Sequence, residues 1–326
     1  MSRTAFVSGA TGFLGINLIE KLSQEGWEVT ALHRPTSDLT YLKRFPVKLA
    51  EGSLWDKDSL IKAIPEGTEV IFHLAGDTNM WRKKNEQQYR TNVLGTRYLV
   101  EAAAANGAKC FIHTSSVSAW GPTKGITNEE TEPIAQNSFI NYEKTKLQGE
   151  EEALKGREMG MKVVIVNPAS IVGPYDNNNW GKIFLALKNK EVPFVAPGEN
   201  NFVHVSEVVK GHIAAVDKGK DGEKYILSGV NSNLSEYFKE AARLMDIPLP
   251  PIAPRFMFRI LGQLMPLAAS LSGKEPLITP ELADMMTRKG YGFSNEKAKR
   301  EFGLVDVPLE KGVKDNYDWL VKEGIL

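Results

Sequence analysis

The first half of the chain alternates short runs rich in β-branched residues with longer runs that have the apolar spacing of helices. The strand-like runs are Thr4–Ser8, Glu28–His33, Val47–Ala50, Glu69–Leu74, Lys109–Thr114 and Lys162–Asn167. The helix-like runs between them are Gly15–Glu25, Asp58–Ile64, Gln88–Asn106 and Tyr142–Met159. Because helices between such strands cover both faces of a sheet, this order predicts an α/β fold with a doubly wound parallel sheet.

The pattern changes after about Gly173, where prolines cluster and helical runs dominate. These later helical runs are Ser235–Met245, Pro280–Arg288, Asn295–Phe302 and Leu309–Glu323. Phe202–Val205 and Lys224–Ser228 are predicted to return to the sheet. We therefore expect a first domain over residues 1–173, with a return segment at about 201–230. A smaller, mainly helical domain over 174–326 is expected to be interleaved with it and to bind the substrate.

The composition is that of an ordinary globular protein, with 326 residues, 42% hydrophobic and 25% charged. Lys+Arg and Asp+Glu are both 40, so no net charge favours nucleic acid or an anionic membrane as a partner. Cys110 lies in an apolar run and is expected to be a buried thiol. We find no signal peptide and no apolar run of about eighteen residues, which predicts a cytoplasmic protein without a membrane span.

A glycine-rich turn follows the first strand and opens the first helix, with Gly9, Gly12 and Gly15 at three-residue spacing. Gly9 allows a tight turn, Gly12 the close approach of a pyrophosphate, and Gly15 close packing of the helix on the strand. The helix N-terminus offers free amides to the phosphates. This turn predicts a dinucleotide site in a Rossmann-type sheet.

The end of the second strand distinguishes the two nicotinamide cofactors, since an acid there binds a ribose 2′-hydroxyl. Here the strand is followed by Arg34 and Ser37 with no acid between them. Arg34 can pair with a 2′-phosphate, and Ser37 can donate a hydrogen bond to it. NADP(H) is therefore the preferred cofactor, and NAD(H) stays open.

The glycine turn, together with Tyr142-x-x-x-Lys146, resembles the extended branch of the short-chain dehydrogenase/reductase superfamily. Further motifs match in the family's order from Ser8 to about Val209, among them His73-Leu74-Ala75-Gly76, Asn92-Val93-Leu94-Gly95-Thr96 and the segment from Thr114 to Gly121. Asn167-Pro168 is most similar to the dihydroflavonol-reductase-like group. One departure is Ser53, where the family often has an acid near the adenine.

The cofactor-binding residues expected from the turn and the resemblance form one set along the sheet edge. They are Gly9, Thr11, Gly12, Phe13, Leu14, Gly15, Arg34, Ser37, Ser53, Leu54, Leu74, Ala75, Gly76, Thr114, Ser115, Tyr142, Lys146, Asn167, Pro168 and Ser170.

The resemblance implies a catalytic set of Tyr142, Lys146, Ser116 and Asn92. Tyr142 would donate a proton to the oxygen of a carbonyl substrate as hydride reaches its carbon. Lys146, one helical turn away, would lower the tyrosine pKa from about 10 by favouring the phenolate. Ser116 would donate a second hydrogen bond to the developing alkoxide. Asn92 would support Lys146 indirectly.

In the resembled family, residues near the catalytic set differ between enzymes that catalyse different reactions. Sugar dehydratases have an Asp-Glu pair where this chain has Val117 and Ser118, and epimerases often have an arginine where it has Asn200. We therefore expect NADPH-dependent, reversible reduction of a ketone or aldehyde. The alternatives are a nucleotide-sugar epimerase with tightly bound NAD, a hydroxysteroid-dehydrogenase-like enzyme, and a non-enzymatic NADP sensor, which the Tyr142/Lys146 pair disfavours.

The substrate is expected to be apolar or aromatic because large side chains fall in loops that should border the pocket. These are Met80, Trp81, Trp120, Trp180 and Phe194, together with Ser116 of the catalytic set. The apolar stretch 256–267 could be a lid helix, a dimer contact or an interfacial membrane helix. The lid is favoured, because Pro266 is expected to interrupt the helix and basic residues are too few to indicate a membrane anchor. His73, His113 and His204 lie in or beside strands and are not expected to bind metal. The resemblance also implies a homodimer through the two long helices.

Overall fold

The computed structural model describes residues 2–272 and 275–326, and within them seven parallel strands form the central sheet in the order β10-β7-β5-β4-β1-β2-β3. In chain order the strands are β1 (Thr4–Ser8), β2 (Glu28–His33), β3 (Lys48–Glu51), β4 (Val70–His73), β5 (Cys110–Thr114), β6 (Gly125–Thr127), β7 (Lys162–Pro168), β8 (Ser170–Val172), β9 (Glu199–His204), β10 (Lys224–Leu227), β11 (Val230–Asn233) and β12 (Tyr291–Phe293). The predicted doubly wound α/β fold is confirmed.

Helices cover both faces of this sheet and build the C-terminal part. They are α1 (Phe13–Gln24), α2 (Lys57–Ala63), α3 (Asn85–Tyr89), α4 (Gly95–Ala105), α5 (Asn141–Leu154), α6 (Lys182–Lys188), α7 (Val205–Lys218), α8 (Leu234–Leu244), α9 (Arg255–Ser272), α10 (Pro280–Met285), α11 (Glu296–Phe302) and α12 (Leu309–Lys322). A π-helical turn over Arg90–Leu94 joins α3 to α4, so the predicted helix Gln88–Asn106 is nearly continuous.

Apolar side chains of the central strands point alternately to two cores. Val7 and Phe72 pack in one core with α1 and α7, whereas Phe6 and Ile71 pack in the other with α2 and α4. Both cores are fully buried at these positions, which explains why the strands are continuous apolar runs rather than alternating ones. A third core lies in the C-terminal part around Tyr237 and Phe184.

One predicted strand has a different partner. Phe202–Val205 does not return to the central sheet, because β9 pairs with β8 and β11 in a separate three-stranded sheet. The other predicted return strand, β10, does join the central sheet beside β7. The sequence pattern predicts both strands, but the strand with which each one pairs depends on packing contacts made by other parts of the chain.

Helix α9 also differs from its prediction. It runs through Pro266 from Arg255 to Ser272, so the proline does not interrupt it. A second small sheet, β6 with β12, links the loop after β5 to the C-terminal part. No helix in the described part of the chain is long and apolar enough to cross a membrane.

Candidate active site

The glycine turn lies at the switch point of the sheet, where β1 stands between β2 and β4. Gly9 has a φ of +72°, and a Cβ on it would lie 2.6 Å from the amide nitrogen of Ala75. A Cβ on Gly15 would lie 2.2 Å from the carbonyl oxygen of Gly9. Around Gly12 only that carbonyl is near, at 3.3 Å. Gly9 and Gly15 therefore lie so close to neighbouring backbone that a side chain would not fit at either position. Gly12 leaves room above the N-terminus of α1.

The N-terminus of α1 fits a bound pyrophosphate. Its N-cap is Gly12, which provides no side-chain hydrogen bond to the first-turn amides. Such uncapped amides, with the helix dipole behind them, are donors for an anion. Thr11 lies just before this N-cap, and Phe13 and Leu14 begin the helix; their contact with a cofactor stays a prediction.

Arg34 and Ser37 lie together at the end of β2. The amide of Arg34 donates a hydrogen bond to the Ser37 hydroxyl at 3.1 Å, and the Ser37 amide donates to the Arg34 carbonyl at 3.0 Å. Arg34 is exposed, and its guanidinium forms no ion pair within residues 2–272 and 275–326. This small turn presents an exposed arginine that is free of an ion pair in the described residues, where the adenosine ribose of a dinucleotide would lie.

The loops after β3 and β4 complete the same edge. The Ser53 hydroxyl accepts a hydrogen bond from the Trp55 amide at 3.2 Å, and Leu54 is half-buried. Leu74 and Ala75 are half-buried against the glycine turn. A Cβ on Gly76 would lie 3.5 Å from Asn92 Oδ1 and 3.8 Å from Lys146 Nζ. Gly76 therefore links the cofactor edge to the catalytic set.

Asn92 lies in the π-helical turn and is 4% exposed. Its Oδ1 accepts from the Asp77 amide at 2.7 Å, and its Nδ2 donates to the Asp77 carbonyl at 2.9 Å and to Thr145 Oγ1 at 3.1 Å. Single π-turns inside helices are often found at functional sites. Here the side chain fixes the loop after β4 to α5, so Asn92 has a positioning role.

Lys146 is buried at the carboxyl end of β5. Its Nζ donates a hydrogen bond to the carbonyl oxygen of Thr114 at 2.8 Å. Burial lowers the pKa of Lys146 to about 8, and the charge of Glu150 opposes this change. The amine is thus mostly protonated near neutral pH and loses its proton in mildly alkaline solution.

The Tyr142 side chain lies close enough to Ser116 for the serine hydroxyl to affect its pKa. Burial raises the pKa of Tyr142, while Ser116 lowers it and the charges of Glu143 and Asp77 raise it further. This direction is opposite to our expectation of a pKa lowered by Lys146. The reason is that desolvation disfavours the phenolate in the protein without cofactor. Ser116 Oγ also accepts from the Ser118 amide at 3.1 Å, which fixes its rotamer.

A carboxylate that the sequence analysis did not single out, Glu150, lies one helical turn after Lys146 on α5. Glu150 is 1% exposed, accepts from Asn167 Nδ2 at 2.6 Å and forms an ion pair with Lys224 at 2.5 Å. Asn167 also donates to the Ser116 carbonyl at 3.1 Å. The spacing of four between Lys146 and Glu150 on one helix could have indicated this carboxylate.

Two buried polar atoms in this region, Ser115 Oγ and Asn167 Oδ1, have no hydrogen-bond partner in the described part. Unpartnered buried polar atoms are rare, and they indicate a group that a ligand would satisfy. Pro168 ends β7, and Ser170 Oγ is hydrogen-bonded to the Asn200 side chain. Together with the open helix end and the turn at Arg34, these atoms show that the chain fits a nicotinamide dinucleotide along this edge.

A second missed residue is Glu143, which follows Tyr142 directly. It is 1% exposed and forms an ion pair with Arg288 at 2.5 Å. Arg288 also pairs with Asp284 of α10 at 2.8 Å. This buried pair joins the start of the catalytic helix α5 to the C-terminal part. No local pattern could reveal it, because the partners are 145 residues apart.

The predicted pocket residues divide into two groups. Met80 and Trp81 are half-buried in the loop after β4. Trp180 is also half-buried, and its ring centroid lies 5.0 Å from that of Phe202 and 5.2 Å from that of Tyr237. Trp120 is 1% exposed and packs in a small core with Val117, Ile226 and Phe293. Its indole donates to the Thr131 carbonyl at 2.9 Å, so Trp120 is a core residue here.

The histidines are engaged in packing. His73 bridges Ser8 Oγ at 2.7 Å and Thr96 Oγ1 at 2.9 Å, and His204 contacts Asp315 at 3.1 Å. The His113 ring lies 5.2 Å from that of His73. Among residues 2–272 and 275–326, no group of three His, Cys, Asp or Glu side chains could hold a metal ion. Cys110 is buried, which raises the pKa of its thiol to about 11.

The sequence and the fold of this chain are similar to those of known proteins. Residues 5–228 match the model of the NAD dependent epimerase/dehydratase family. A putative dihydroflavonol 4-reductase of Synechocystis is 29% identical over 99% of this chain and 96% of its own length. Sterol demethylase protein B of Methylococcus capsulatus is 31% identical over 99% of this chain and 100% of its own. The crystal structure of gox2253 superposes with a TM-score of 0.85 and 32% identity, covering 99% of both chains.

The chain therefore belongs to the NAD-dependent epimerase/dehydratase family, the extended short-chain dehydrogenases/reductases, and is an NAD(P)-dependent oxidoreductase. A structure of MoeE5 with UDP-glucuronic acid and NAD has a TM-score of 0.77 and 20% identity over 98% of this chain and 99% of its own. That likeness shows the shared fold alone.

Proposed function

We propose that this protein reduces a ketone or aldehyde to an alcohol with NADPH, reversibly, on an apolar or aromatic substrate. The observation that carries the proposal is the placement of Tyr142 and Ser116 close enough at the carboxyl edge of the sheet for Ser116 to lower the pKa of Tyr142. Two hydroxyls placed in this way could both contact one carbonyl oxygen. Lys146, held by Thr114, supplies the positive charge one helical turn away.

The chain's own groups suit the reductive direction. The bound cofactor would supply hydride to the carbonyl carbon, so negative charge would develop on the oxygen. The raised pKa of Tyr142 keeps its hydroxyl protonated near neutral pH, as a general acid requires. Ser116 donates to the same oxygen and stabilises the charge. The Lys146 ammonium favours the tyrosinate that remains after proton transfer.

The preference for NADPH rests on Arg34. Its guanidinium is exposed and has no acidic partner in the described residues, and Ser37 is bound to its backbone. A planar guanidinium can bind a 2′-phosphate through two hydrogen bonds. β2 ends at His33 and is followed directly by Arg34, so the acid that would bind a ribose 2′-hydroxyl is absent from these two positions. NAD(H) would lose the phosphate contact and bind less tightly.

An apolar substrate is supported by the relatives and by the loop after β4. Related proteins are named as reductases or dehydrogenases of hydrophobic molecules, such as a farnesyl-dihydroquinoline-oxide ketoreductase of Stigmatella aurantiaca and a ceramide reductase of Caulobacter vibrioides. Others are named 3β-hydroxysteroid dehydrogenases, which makes a hydroxysteroid-type alcohol a close variant of the proposal. Met80 and Trp81 offer partly exposed apolar surface in the loop that contacts Asn92.

The alternative of a nucleotide-sugar epimerase is disfavoured at Asn200. Its side chain is a neutral amide that is hydrogen-bonded to Ser170 at 3.1 Å. A sugar diphosphate would meet no positive charge from this position. The predicted homodimer and cytoplasmic location stay predictions.

The proposal is tested by titrating the purified protein separately with NADPH, NADH, NADP and NAD, and following nicotinamide fluorescence. Exchangeable binding of NADPH in preference to NADH, with oxidation of NADPH by apolar ketones or aldehydes, is expected. A non-exchanging NAD that survives purification, with turnover of nucleotide sugars, would instead establish the epimerase. Binding of NADPH without turnover on either set of substrates would favour a sensor.

A further inference from the structure

Helix α9 carries an exposed stripe of large apolar side chains. Phe256, Ile260 and Leu264 are 64%, 52% and 56% exposed. Their spacing of four places them in one row along the helix. Single exposed apolar residues are ordinary on a protein surface, but an aligned row of three large ones marks an interaction site. We call these three residues the α9 stripe.

The opposite side of α9 is packed against the protein. Phe258 is 2% exposed, and its ring meets that of Phe194 edge-on at 5.7 Å. A Cβ on Gly262 would lie 2.9 Å from the Ala283 side chain, so α10 lies close against the helix there. The α9 stripe therefore faces outward because the other side of the helix is anchored.

Positive charge borders the stripe. Arg255 and Arg259 are exposed, lie one helical turn apart and each immediately precede a stripe residue in the sequence. Neither forms an ion pair within residues 2–272 and 275–326, and Arg255–Ser272 contains no Asp or Glu. The exposed side of α9 thus combines an apolar row with cations that have no acidic neighbour on the helix. This combination complements a surface that is apolar inside and anionic outside.

We propose that α9 docks on the surface of an anionic lipid bilayer, lying in the plane of the interface. The α9 stripe would enter the boundary between headgroups and acyl chains, and Arg255 and Arg259 would remain among the phosphates. The chain as a whole has no net charge, so the attraction is local to this helix. The sequence analysis predicted that this helix is a lid. The three stripe side chains are exposed, however, so they do not pack in the protein interior.

The position of α9 relates this surface to the candidate site. Glu275, which follows the helix, accepts hydrogen bonds from Asn79 and Lys84 at 2.7 Å each. These residues belong to the loop that carries Met80 and Trp81. Docking would therefore bring the substrate side of the protein near the bilayer, from which an apolar substrate could enter. This last point rests on the proposed function, whereas binding to lipid does not.

The test is flotation of the full-length protein with vesicles of phosphatidylcholine and phosphatidylglycerol in equal amounts, and with vesicles of phosphatidylcholine alone. No nicotinamide or substrate is added, so the result is independent of enzyme activity. Wild-type protein should float with the mixed vesicles, more weakly at high salt. Ile260→Glu/Leu264→Glu should abolish flotation. Arg255→Gln/Arg259→Gln should weaken it about thirty-fold, because each cation near such a surface contributes roughly fivefold.

The control is Val321→Glu, which places one glutamate at an apolar, 49% exposed position of another helix and should float like wild type. Sedimentation equilibrium without lipid is measured on the same proteins. The proposal is wrong if the wild-type protein floats with neither kind of vesicle. It is also wrong if Val321→Glu loses flotation as fully as Ile260→Glu/Leu264→Glu. It is also wrong if sedimentation shows that the wild-type protein is a dimer and that the one effect of Ile260→Glu/Leu264→Glu is to dissociate this dimer. A second copy of the chain would then cover the stripe.

Discussion

The ammonium nitrogen of Lys146 lies 2.8 Å from the carbonyl oxygen of Thr114, the last residue of β5. A strand end of the central sheet thus fixes the position of a side chain from α5. Ser116, two residues after Thr114, lies close enough to Tyr142 of α5 to lower the pKa of that tyrosine. The end of β5 and helix α5 are therefore joined by the contact of Lys146, and two further proposed catalytic groups lie beside that contact.

Replacing Tyr142 by Phe removes the proposed proton donor without removing the ring. Because general acid catalysis typically contributes about 10²–10⁴-fold, ketone reduction should fall by that factor. NADPH affinity, measured by fluorescence titration, should change little. Tyr89→Phe is the matched control, since Tyr89 is 40% exposed in α3 and should retain full activity. Full reductase activity in Tyr142→Phe would refute the assigned acid.

The activity should depend on pH through Lys146. Its pKa is lowered to about 8, so the ammonium is present below that pH and is lost above it. The pKa of Tyr142 is raised, so the tyrosine does not lose its proton first. The profile of kcat/KM for reduction should be flat from about pH 6 to 7 and fall about tenfold per pH unit well above 8. Lys146→Arg keeps the charge at high pH and should lose this fall, whatever its absolute rate. A wild-type profile that stays flat to pH 10 would contradict the assignment.

Charge reversal at Arg34 should change the cofactor preference. Arg34→Glu removes a cation that would hold the 2′-phosphate and adds a charge that repels it. We expect kcat/KM with NADPH to fall roughly 100-fold, as for loss of a charged hydrogen bond, and the value with NADH to be kept or to rise. Lys62→Glu, an exposed position on α2, makes the same change of charge and should alter neither value. Equal losses with both cofactors would argue against a 2′-phosphate contact.

The ion pair between Glu143 and Arg288 should be important for stability. Arg288→Met leaves the Glu143 carboxylate buried without its cation, and removal of one member of a buried pair costs about 3–5 kcal/mol. Urea unfolding should show this loss, and Glu143→Met/Arg288→Met should recover most of it. Asp318→Ala breaks an exposed pair with Lys314 and should change stability by about 0.5 kcal/mol or less. If Arg288→Met unfolds like wild type, the pair contributes little to stability.

The central sheet could be predicted from sequence because the signals for its strands are local. Each strand is a short apolar run between turn residues, and the order of runs determines the alternation. The partner of β9 could not be predicted in this way, because Phe202–Val205 has the same composition as a strand of the main sheet. Only the positions of β8 and β11 direct it into the smaller sheet.

The candidate site was predicted unevenly for a similar reason. Tyr142, Lys146 and Ser116 lie in motifs that a sequence displays directly, and the structure places Lys146 against Thr114 at the end of β5 and Tyr142 near Ser116. Trp120 was expected at the pocket because it lies in a loop, but it packs against Ile226 and Phe293 from distant parts of the chain. Arg288 could not be associated with Glu143, since the contact exists only after the C-terminal part has folded onto α5.

The link between Glu143 and Arg288 also limits how this enzyme could be recombined with its relatives. The C-terminal part provides α9 and α10, so exchanging it would be the natural way to obtain a new specificity. Such a chimera inherits an anion at position 143 beside the proposed general acid, and the incoming segment must bring a cation to meet it. The proposed catalytic helix and the C-terminal part are separate in sequence but share one electrostatic constraint, which any exchange must preserve.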